Sequence, residues 1–169
     1  MTARFIIEPL RKDHKRSDFA CGNERIDAFF RETVSQDLKR NYATCFVAQE
    51  IETTRVAGFY TLSSSNVPLT DVPESLAKKL PRYPSVPAVL IGWLARHNDF
   101  AGMGLGEALL FDAIRTVATA PIGAHAVFAH AIDEGAAVFY ESYGFSRLTG
   151  RKLTLYLPVN TAKSLLGVS

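Results

Sequence analysis

The sequence predicts a single α/β domain whose sheet mixes antiparallel and parallel strands. Its 169 residues suit one domain, and 47% of them are hydrophobic, enough to build a core without disulfides or a metal. In the first half, a helical pattern precedes two strand patterns that form an antiparallel pair. In the second half, strand and helix alternate over residues 88–143, which is typical of parallel neighbouring strands.

The first half begins its regular structure at Asn23, a residue type that caps helices. Apolar residues then recur at helical spacing to about Leu38. Thr44–Ala48 and Val56–Leu62 have the composition of strands, and the polar residues 49–55 form the connection between them. This part of the chain therefore predicts one helix followed by a hairpin.

Residues 63–87 interrupt the regular pattern and predict a long structured excursion. Only a short helix near Glu74–Leu80 fits there. The stretch Ser63-Ser64-Ser65 lacks the Gly-x-Ser-x-Gly context of a nucleophilic serine and is interpreted as a loop at the end of a strand. The helix-breaking prolines of this region are Pro68, Pro73, Pro81, Pro84 and Pro87.

The second half contains the segments that predict the middle of the sheet. Ala88–Ala95 is an almost unbroken apolar run, as in a central strand covered on both faces. Ala124–Ala131 predicts the next strand, and Lys152–Leu157 predicts the last one. Between them, Asp133 is placed to cap a helix that Gly144 ends as a left-handed residue.

Composition limits the classes of protein to which the chain can belong. Its two cysteines, Cys21 and Cys45, do not make a disulfide framework, and no Cys/His group has metal-ligand spacing, so we expect no metal. The N-terminus reaches charged residues too soon for a signal peptide, and no apolar run is long enough to cross a membrane. We therefore expect a cytoplasmic protein that does not contact a membrane.

Basic residues are grouped along the chain, although the formal net charge is only +2. Each group taken alone is typical of a solvated surface, but a phosphate-rich partner that touches several groups at once is the alternative. The four groups are Arg11, Lys12, Lys15 and Arg16; Lys39 and Arg40; Lys78, Lys79 and Arg82; and Arg147, Arg151 and Lys152.

A glycine turn, Gly102-x-Gly104-x-Gly106, lies between the apolar strand and an amphipathic helix. Its backbone N–H groups and the helix N-terminus can converge on an anion, although a plain strand-to-helix turn has the same pattern. A nucleotide P-loop is excluded because Glu107-Ala108 follows in place of Lys-Ser/Thr. A dinucleotide fingerprint is excluded for two reasons. Its third glycine would stand two residues later in the motif, and the motif would follow a strand early in the chain, whereas this turn lies past mid-chain.

Two segments together resemble the signatures of the GNAT acetyltransferase superfamily. The turn Ala101-Gly102-Met103-Gly104-Leu105-Gly106 is similar to the acyl-CoA-binding motif. The segment from Asp133 to Phe145 is similar to the second signature, with its Ala, Phe-Tyr and Gly-Phe positions. The resemblance implies acetyl-CoA as co-substrate and a twisted, mostly antiparallel sheet flanked by helices. Its central parallel strands would splay apart to admit the pantetheine arm.

The same resemblance implies a set of acetyl-CoA contacts, with a backbone N–H of the central strand as the oxyanion partner. Three departures from the superfamily pattern are Ala101, Met103 and the strand ending Arg96-His97-Asn98, which predict less help from side chains but an intact backbone site. The implied contacts are Leu94, Ala95, Arg96, Gly102, Met103, Gly104, Leu105, Gly106, Glu107, Asp133, Ala136 and Phe139.

Tyr140 is the residue that the resemblance assigns as the acid for the departing thiolate. From its position alone, a core aromatic is the alternative, because Tyr140 shares a helix stripe with Phe139. His97, His125 and His130 could be bases, but a hydrogen-bonded or exposed histidine is the favoured interpretation of each. The α-amine of an aminoacyl ester is weakly basic and need not have a protein base.

A narrower resemblance extends over almost the whole chain, to the GNAT toxins of bacterial type II toxin–antitoxin modules. It rests on segments such as 19–23, 56–62, 76–84, 86–89 and 155–158. It implies acetylation of the α-amino group of aminoacyl-tRNA, a homodimer, and a ribbon-helix-helix antitoxin that also represses the operon. The basic residues then implied to face tRNA are Lys39, Arg40, Lys78, Lys79, Arg82 and Arg96.

Other functions for the same domain, residues 1–169, stay open from the sequence. One alternative is an acetyltransferase for a small-molecule amine or a protein N-terminus, which would favour carboxylates around the thioester when the amine is a polyamine. Another is a protein that only binds acyl-CoA or an antitoxin without catalysis. The retained glycine turn and Tyr140 argue against that last alternative.

Overall fold

A computed structural model describes residues 3–167 as a mixed α/β fold. The strands are β1 Phe5–Pro9, β2 Thr44–Glu50, β3 Val56–Pro68, β4 Ser85–Arg96, β5 Ala126–His130, β6 Ser146–Leu148 and β7 Arg151–Pro158. The helices are α1 Glu24–Ala28, α2 Val34–Lys39, α3 Glu74–Ala77, α4 Leu105–Thr119, α5 Glu134–Ser142 and α6 Val159–Leu166. One sheet has the strand order β1-β2-β3-β4-β5-β7-β6.

The pairing of the strands confirms the predicted mixed sheet. β2 pairs antiparallel with β1 and β3, and β7 pairs antiparallel with β5 and β6. β4 and β5 are the parallel pair, from Ala88 opposite Ala126 to Ile91 opposite Ala129. Their register ends there, although β4 continues to Arg96. The apolar run of residues 88–95 therefore occupies the fourth of seven positions in the sheet, as predicted.

The described chain divides into two compact units. The first contains residues 3–63 and 92–113, and the second contains residues 64–91 and 114–167. The single domain predicted over residues 1–169 stays a prediction, and residues 1, 2, 168 and 169 lie outside the described part. Among the described residues, no helix is long and apolar enough to span a bilayer, and no group of acidic, His and Cys residues could hold a metal.

The first unit packs its early helix over an aromatic core. The Asn23 side chain accepts a hydrogen bond from the backbone N–H of Ile26 at 3.1 Å, which confirms the predicted cap. The helix then passes through a π-helical segment, Phe29–Thr33, before α2. Phe30 is fully buried and stacks on Phe59 of β3, with ring centroids 4.1 Å apart. Burial of these rings holds the helix on the sheet.

The second unit builds its core where the proline-rich segment returns to the sheet. The short helix α3 covers only the start of the predicted span Glu74–Leu80, because Pro81 allows no further helical turn. Val72 before α3 is buried, as is Val86 at the start of β4. These residues join one apolar cluster with Phe128 of β5. The excursion is therefore anchored by burial.

Five features of the fold differ from the sequence predictions or were missed. Ser63-Ser64-Ser65 lies within β3, not in a loop. Exposure alternates from Ser63 to Val67, as expected of a strand whose side chains point to opposite faces of the sheet. His125 lies just before β5 instead of within it. The missed elements β1, β6 and α6 are short, and their patterns alone are ambiguous.

Candidate active site

The glycine turn leads from β4 into α4 within the first unit. Gly102 and Gly104 both have left-handed backbones, with φ of +77° and +71°, which residues with a Cβ rarely adopt. A Cβ added at either glycine would have no heavy atom within 4 Å. The backbone carbonyl of Gly104 accepts from the N–H of Ala108 at 3.1 Å, and Leu105 opens α4. The turn is an exposed backbone segment at a helix N-terminus, a favourable place for an anion.

Two contacts that sequence reasoning missed hold α4 against β3. The phenol of Tyr60 donates to a carboxylate oxygen of Asp112 at 2.6 Å. A Cβ on Gly58 would lie 2.7 Å from Cδ1 of Leu109 and 2.9 Å from the carbonyl oxygen of Ala95, so only glycine lets the strand and helix approach this closely. A glycine inside a strand pattern and an aspartate on an apolar helix were the available signals.

The end of β4 contains the residues implied to contact the thioester and the acceptor. Leu94 is half-buried and Ala95 is buried, while Arg96 is half-buried with its Nη1 lacking a hydrogen-bond partner among the described residues. Trp93 lies parallel to Phe29, with centroids 4.4 Å apart, and the guanidinium of Arg25 lies 5.7 Å from the Trp93 ring. Trp93 thus packs on the first unit's core.

Two of the three candidate histidines, His97 and His130, have side-chain partners that fit a structural role. His97 is buried, its Nδ1 accepts from the N–H of Asp99 at 3.0 Å, and its Nε2 lies 3.0 Å from the carbonyl oxygen of Asp18. Both ring nitrogens are therefore engaged. His130 lies 3.1 Å from the hydroxyl of Thr154, and burial lowers its pKa, as does the charge of Arg151 to a smaller extent.

The helix that bears Tyr140 is well defined in the second unit. Asp133 caps it by accepting from the N–H of Ala136 at 2.8 Å, and Gly144 follows its end with φ +95°. Tyr140 is 5% exposed, and its ring lies 5.3 Å from that of Phe145 and 5.5 Å from that of Phe139. Burial raises the pKa of Tyr140, which keeps its phenol protonated over the physiological range.

The predicted acetyl-CoA contacts are divided between the two units. Leu94–Arg96 and Gly102–Glu107 belong to the first unit, whereas Asp133, Ala136 and Phe139 belong to the second with Tyr140. Within each unit the backbone has the local geometry that the sequence indicates. Ala95, Leu105 and Tyr140 are buried, and the other residues of both groups are exposed or half-buried.

The four basic groups differ in how far they are neutralised. Arg147 is held by Glu134 at 2.6 Å and by Glu141 at 2.8 Å, and Arg11 is paired with Glu8 at 2.7 Å. These bonds raise the pKa of Arg147 and lower that of Glu134. In contrast, five exposed residues of the two middle groups have no ion pair among the described residues: Lys39, Arg40, Lys78, Lys79 and Arg82.

The chain matches no family model, but it is similar to two curated proteins along most of its length. A probable toxin TacT of Sinorhizobium fredii (strain NBRC 101917 / NGR234) is 32% identical, over 98% of this chain and 97% of that protein. A tRNA-acetylating toxin of Mycobacterium tuberculosis (strain ATCC 25618 / H37Rv) is 33% identical, over 89% of this chain and 90% of that protein. The chain belongs to the family of tRNA-acetylating toxins.

Solved structures of such toxins share its fold. A Tyr-to-Phe variant of KacT has a TM-score of 0.90 at 27% identity, over 96% of this chain and 99% of that chain. AtaT in complex with acetyl-methionyl-tRNA has a TM-score of 0.88 at 28% identity, with the same coverage. A variant AtaT bound to acetyl-CoA and to the C-terminus of the antitoxin AtaR has a TM-score of 0.82 at 25% identity, over 97% of this chain and 99% of that chain.

Proposed function

We propose that this chain is an acetyltransferase that moves the acetyl group of acetyl-CoA to the α-amino group of an aminoacyl-tRNA and thereby blocks translation as a toxin. The observation that carries the proposal is the likeness along most of the chain to a probable toxin and to a tRNA-acetylating toxin, together with the shared fold of AtaT, which is solved in complex with acetyl-methionyl-tRNA. Two local features support the proposal, each within its own unit: the open backbone of the glycine turn in the first, and the buried phenol of Tyr140 in the second.

In the proposed reaction, the neutral α-amine attacks the thioester carbonyl carbon, and a backbone N–H of residues 94–96 donates to the oxygen that becomes negative. The C–S bond then breaks as the amide forms. Tyr140 donates its proton to the departing thiolate, and the amide nitrogen loses its extra proton to water. The raised pKa of Tyr140 keeps the phenol protonated until the thiolate leaves, so a proton is present to be donated.

The acetyl-CoA pyrophosphate is assigned to the backbone N–H groups of the glycine turn. Gly102 and Gly104 leave open space where side chains would otherwise project, so a phosphate can approach the backbone. Ala101 and Met103 carry no charge, so this part of the site relies on backbone groups and on the N-terminus of α4. Glu107, on the first turn of α4, is exposed and is assigned a contact with acetyl-CoA at the edge of this site.

The acceptor tRNA is assigned to the basic residues that have no internal ion pair. Lys39 is the last residue of α2 and Arg40 follows it. Lys78, Lys79 and Arg82 follow α3. Unpaired, exposed cations release counterions when they bind phosphates, which favours a polyanion. Arg96, with its partly unsatisfied guanidinium, is the candidate for a contact near the aminoacyl end.

The proposal extends to partners and to the place of action. Because acetylated tRNA would be harmful without control, we assign an antitoxin of the ribbon-helix-helix type as inhibitor and as co-repressor of the shared operon. We assign a homodimer in the cytoplasm, where charged tRNA is available, with residues 1–169 acting as one GNAT acetyltransferase domain.

The experiment that tests the proposal incubates the chain with labelled acetyl-CoA and a mixture of charged tRNAs. Label on one or a few aminoacyl ends is expected, and none on uncharged tRNA. Label on polyamines or on protein N-termini, but not on aminoacyl-tRNA, would replace this function with one of the other acetyltransferase functions. Absence of any transfer while acetyl-CoA binds would support a binding protein without catalysis.

The role of Tyr140 is tested by comparing Tyr140→Phe with Tyr143→Phe in the same helix. Both variants keep the ring, but only the first removes the proposed acid. Tyr140→Phe is expected to lower the transfer rate by about 100-fold or more, the scale of general acid catalysis, with acetyl-CoA affinity little changed. Equal rates for the two variants would refute the assignment.

A further inference from the structure

The second unit contains a cavity of about 310 Å³ whose wall includes none of the residues assigned to acetyl-CoA and only Lys79 of those assigned to tRNA. It is formed where the proline-rich segment and α3 cover the starts of β4 and β5. Its volume is at the lower end of the range for small-molecule sites. The larger apolar side chains of its wall are those of Val67, Val72, Leu76, Leu80, Val86 and Leu148.

One part of the cavity wall is polar and positively charged. Lys79, His125, Asn160 and Thr161 line it, and none of the residues that form the wall is acidic. Lys79 has no ion pair among residues 3–167, so its ammonium group is available to a ligand. A site that combines one unpaired cation with an apolar chamber selects a ligand with an anionic head and an apolar tail.

Two residues in the first turn of α6, Asn160 and Thr161, line the same wall. The preceding residue, Pro158, makes no side-chain cap. The N–H of Val159 is taken by the carbonyl oxygen of His125 at 2.7 Å. The N–H groups of Asn160 and Thr161 lie in the first turn, where the helix has no carbonyl of its own to accept a hydrogen bond from them. They and the positive end of the helix dipole face an anion favourably.

A buried tyrosine provides an independent sign that the cavity is incomplete without a ligand. Tyr156 lines the cavity, is 5% exposed, and its hydroxyl has no hydrogen-bond partner among the described residues. Buried hydroxyls in folded proteins are nearly always bonded, because an unsatisfied one costs free energy. A ligand oxygen at this position would accept the missing hydrogen bond.

We propose that this cavity binds a small monocarboxylate with an unbranched apolar tail, of about the size of octanoate. Its carboxylate lies between Lys79 and the first turn of α6, and its tail fills the chamber lined by Val72 and Leu76. A protonated amine of the same length is repelled by the ammonium group of Lys79 and is excluded. An alcohol carries no charge and cannot form a charge-assisted hydrogen bond with Lys79. The site is distinct from the residues assigned to acetyl-CoA, so this inference does not depend on the proposed function.

The test titrates the isotope-labelled full chain with octanoate, octylamine and octanol, without tRNA or acetyl-CoA, and follows methyl and backbone NMR signals. Octanoate is expected to shift the methyl signals of Val72 and Leu76 and the amide signals of Asn160 and Thr161. Octylamine is expected to shift none of them. Equal affinity for octanoate and octylamine, or no shift with octanoate, would overturn the proposal.

Matched variants separate the site from general surface charge. Lys79→Gln is expected to weaken octanoate binding about ten-fold, as for loss of a charge-assisted bond, whereas Lys78→Gln, at an exposed neighbour outside the cavity, leaves it unchanged. Leu76→Trp fills the chamber and is expected to abolish binding. Lys78 and Lys79 are both exposed, so Lys78→Gln and Lys79→Gln are expected to fold and stay informative even if Leu76→Trp does not fold. Equal losses at Lys78 and Lys79 would overturn the assignment.

Discussion

The carboxylate of Asp133 accepts a hydrogen bond of 2.8 Å from the backbone N–H of Ala136, which fixes the first turn of the helix that bears Tyr140. The bond satisfies one of the free N–H groups at the helix start, and the negative charge of Asp133 lies at the positive end of the helix dipole. The same residue pair belongs to the second GNAT signature. A cap that local sequence can specify thus sets the position of a proposed catalytic phenol.

The cap at Asp133 predicts a graded pair of variants. Asp133→Ala removes the acceptor and is expected to lower the free energy of unfolding by about 1 kcal/mol, whereas Asp133→Asn keeps a good cap and stays near wild type. The acetyl-transfer rate is expected to fall with Asp133→Ala, because the turn that precedes Tyr140 frays. Urea unfolding and the transfer assay measure the two effects. Asparagine and alanine variants of equal stability would contradict the role of the cap.

The glycine turn predicts a loss of acetyl-CoA binding that can be separated from backbone strain. Gly104 has φ +71° and Gly150 has φ +74°, and a Cβ at either meets nothing within 4 Å. Gly104→Glu and Gly150→Glu are therefore expected to cost a similar free energy of unfolding, about 1–2 kcal/mol. Only Gly104→Glu is expected to weaken acetyl-CoA binding, measured by calorimetry. Equal acetyl-CoA affinities in the two variants would place the pyrophosphate elsewhere.

The close approach of β3 and α4 predicts strong sensitivity at Gly58. Its added methyl group would lie 2.9 Å from the backbone oxygen of Ala95, which cannot rotate away. Gly58→Ala is expected to destabilise the chain by about 1–3 kcal/mol, the usual cost of overpacking. Gly123→Ala, where nothing lies within 4 Å, is the control and is expected to be nearly neutral. Chemical unfolding of both variants provides the comparison.

The lowered pKa of His130 predicts how stability depends on pH. Partial desolvation of the His130 ring and, to a smaller extent, the charge of Arg151 hold this pKa below its ordinary value of 6.5, so the unfolded chain takes up a proton first as the pH falls. The stability that neutral His130 contributes is therefore present above pH 6.5 and is lost below it. His130→Gln is expected to lose less stability than wild type between pH 7.5 and 5.5 in urea unfolding. Identical pH profiles would show that His130 is not responsible.

The unpaired basic residues predict the salt dependence of tRNA binding. The double variant Lys39→Glu with Arg40→Glu is expected to weaken binding and to reduce the slope of log affinity against log salt by about one for each lost phosphate contact. Lys12→Glu with Lys15→Glu changes the same charge on exposed residues outside the assigned surface, and its slope is expected to stay near that of wild type. Equal slopes for both double variants would indicate attraction by net charge alone.

Local chemistry explains why part of the fold could be predicted. Asn23 and Asp133 both act as the predicted helix caps, and Gly144 has the predicted left-handed backbone, because such bonds and dihedrals involve residues close in sequence. The apolar run of residues 88–95 could be assigned to a central strand, because such a run is typical of strands inside a sheet; Ala88, Ile91 and Ala95 are buried and the rest of the run is half-buried.

Other features could not be predicted, because they depend on partners far away in sequence. Ser63-Ser64-Ser65 has the composition of a loop, yet it lies in a strand whose neighbouring positions alternate between exposed and buried. Gly58 and Asp112 are unusual for a strand and an apolar helix, but nothing near them in sequence names Leu109 and Tyr60 as their partners. The cavity beside Lys79 combines residues from Val67 to Thr161.

The sequence by itself determined a mixed α/β fold with a glycine turn and a capped helix, because periodicity, capping and turn chemistry act over a few residues. The acetyltransferase activity and the role of Tyr140 were implied by the resemblance of these segments to the GNAT signatures. Only the tertiary structure decided which histidines are engaged, which basic residues remain unpaired, and that a second cavity exists. Ion pairs, burial and cavities arise from long-range packing, since the side chains that form them meet only after the chain has folded.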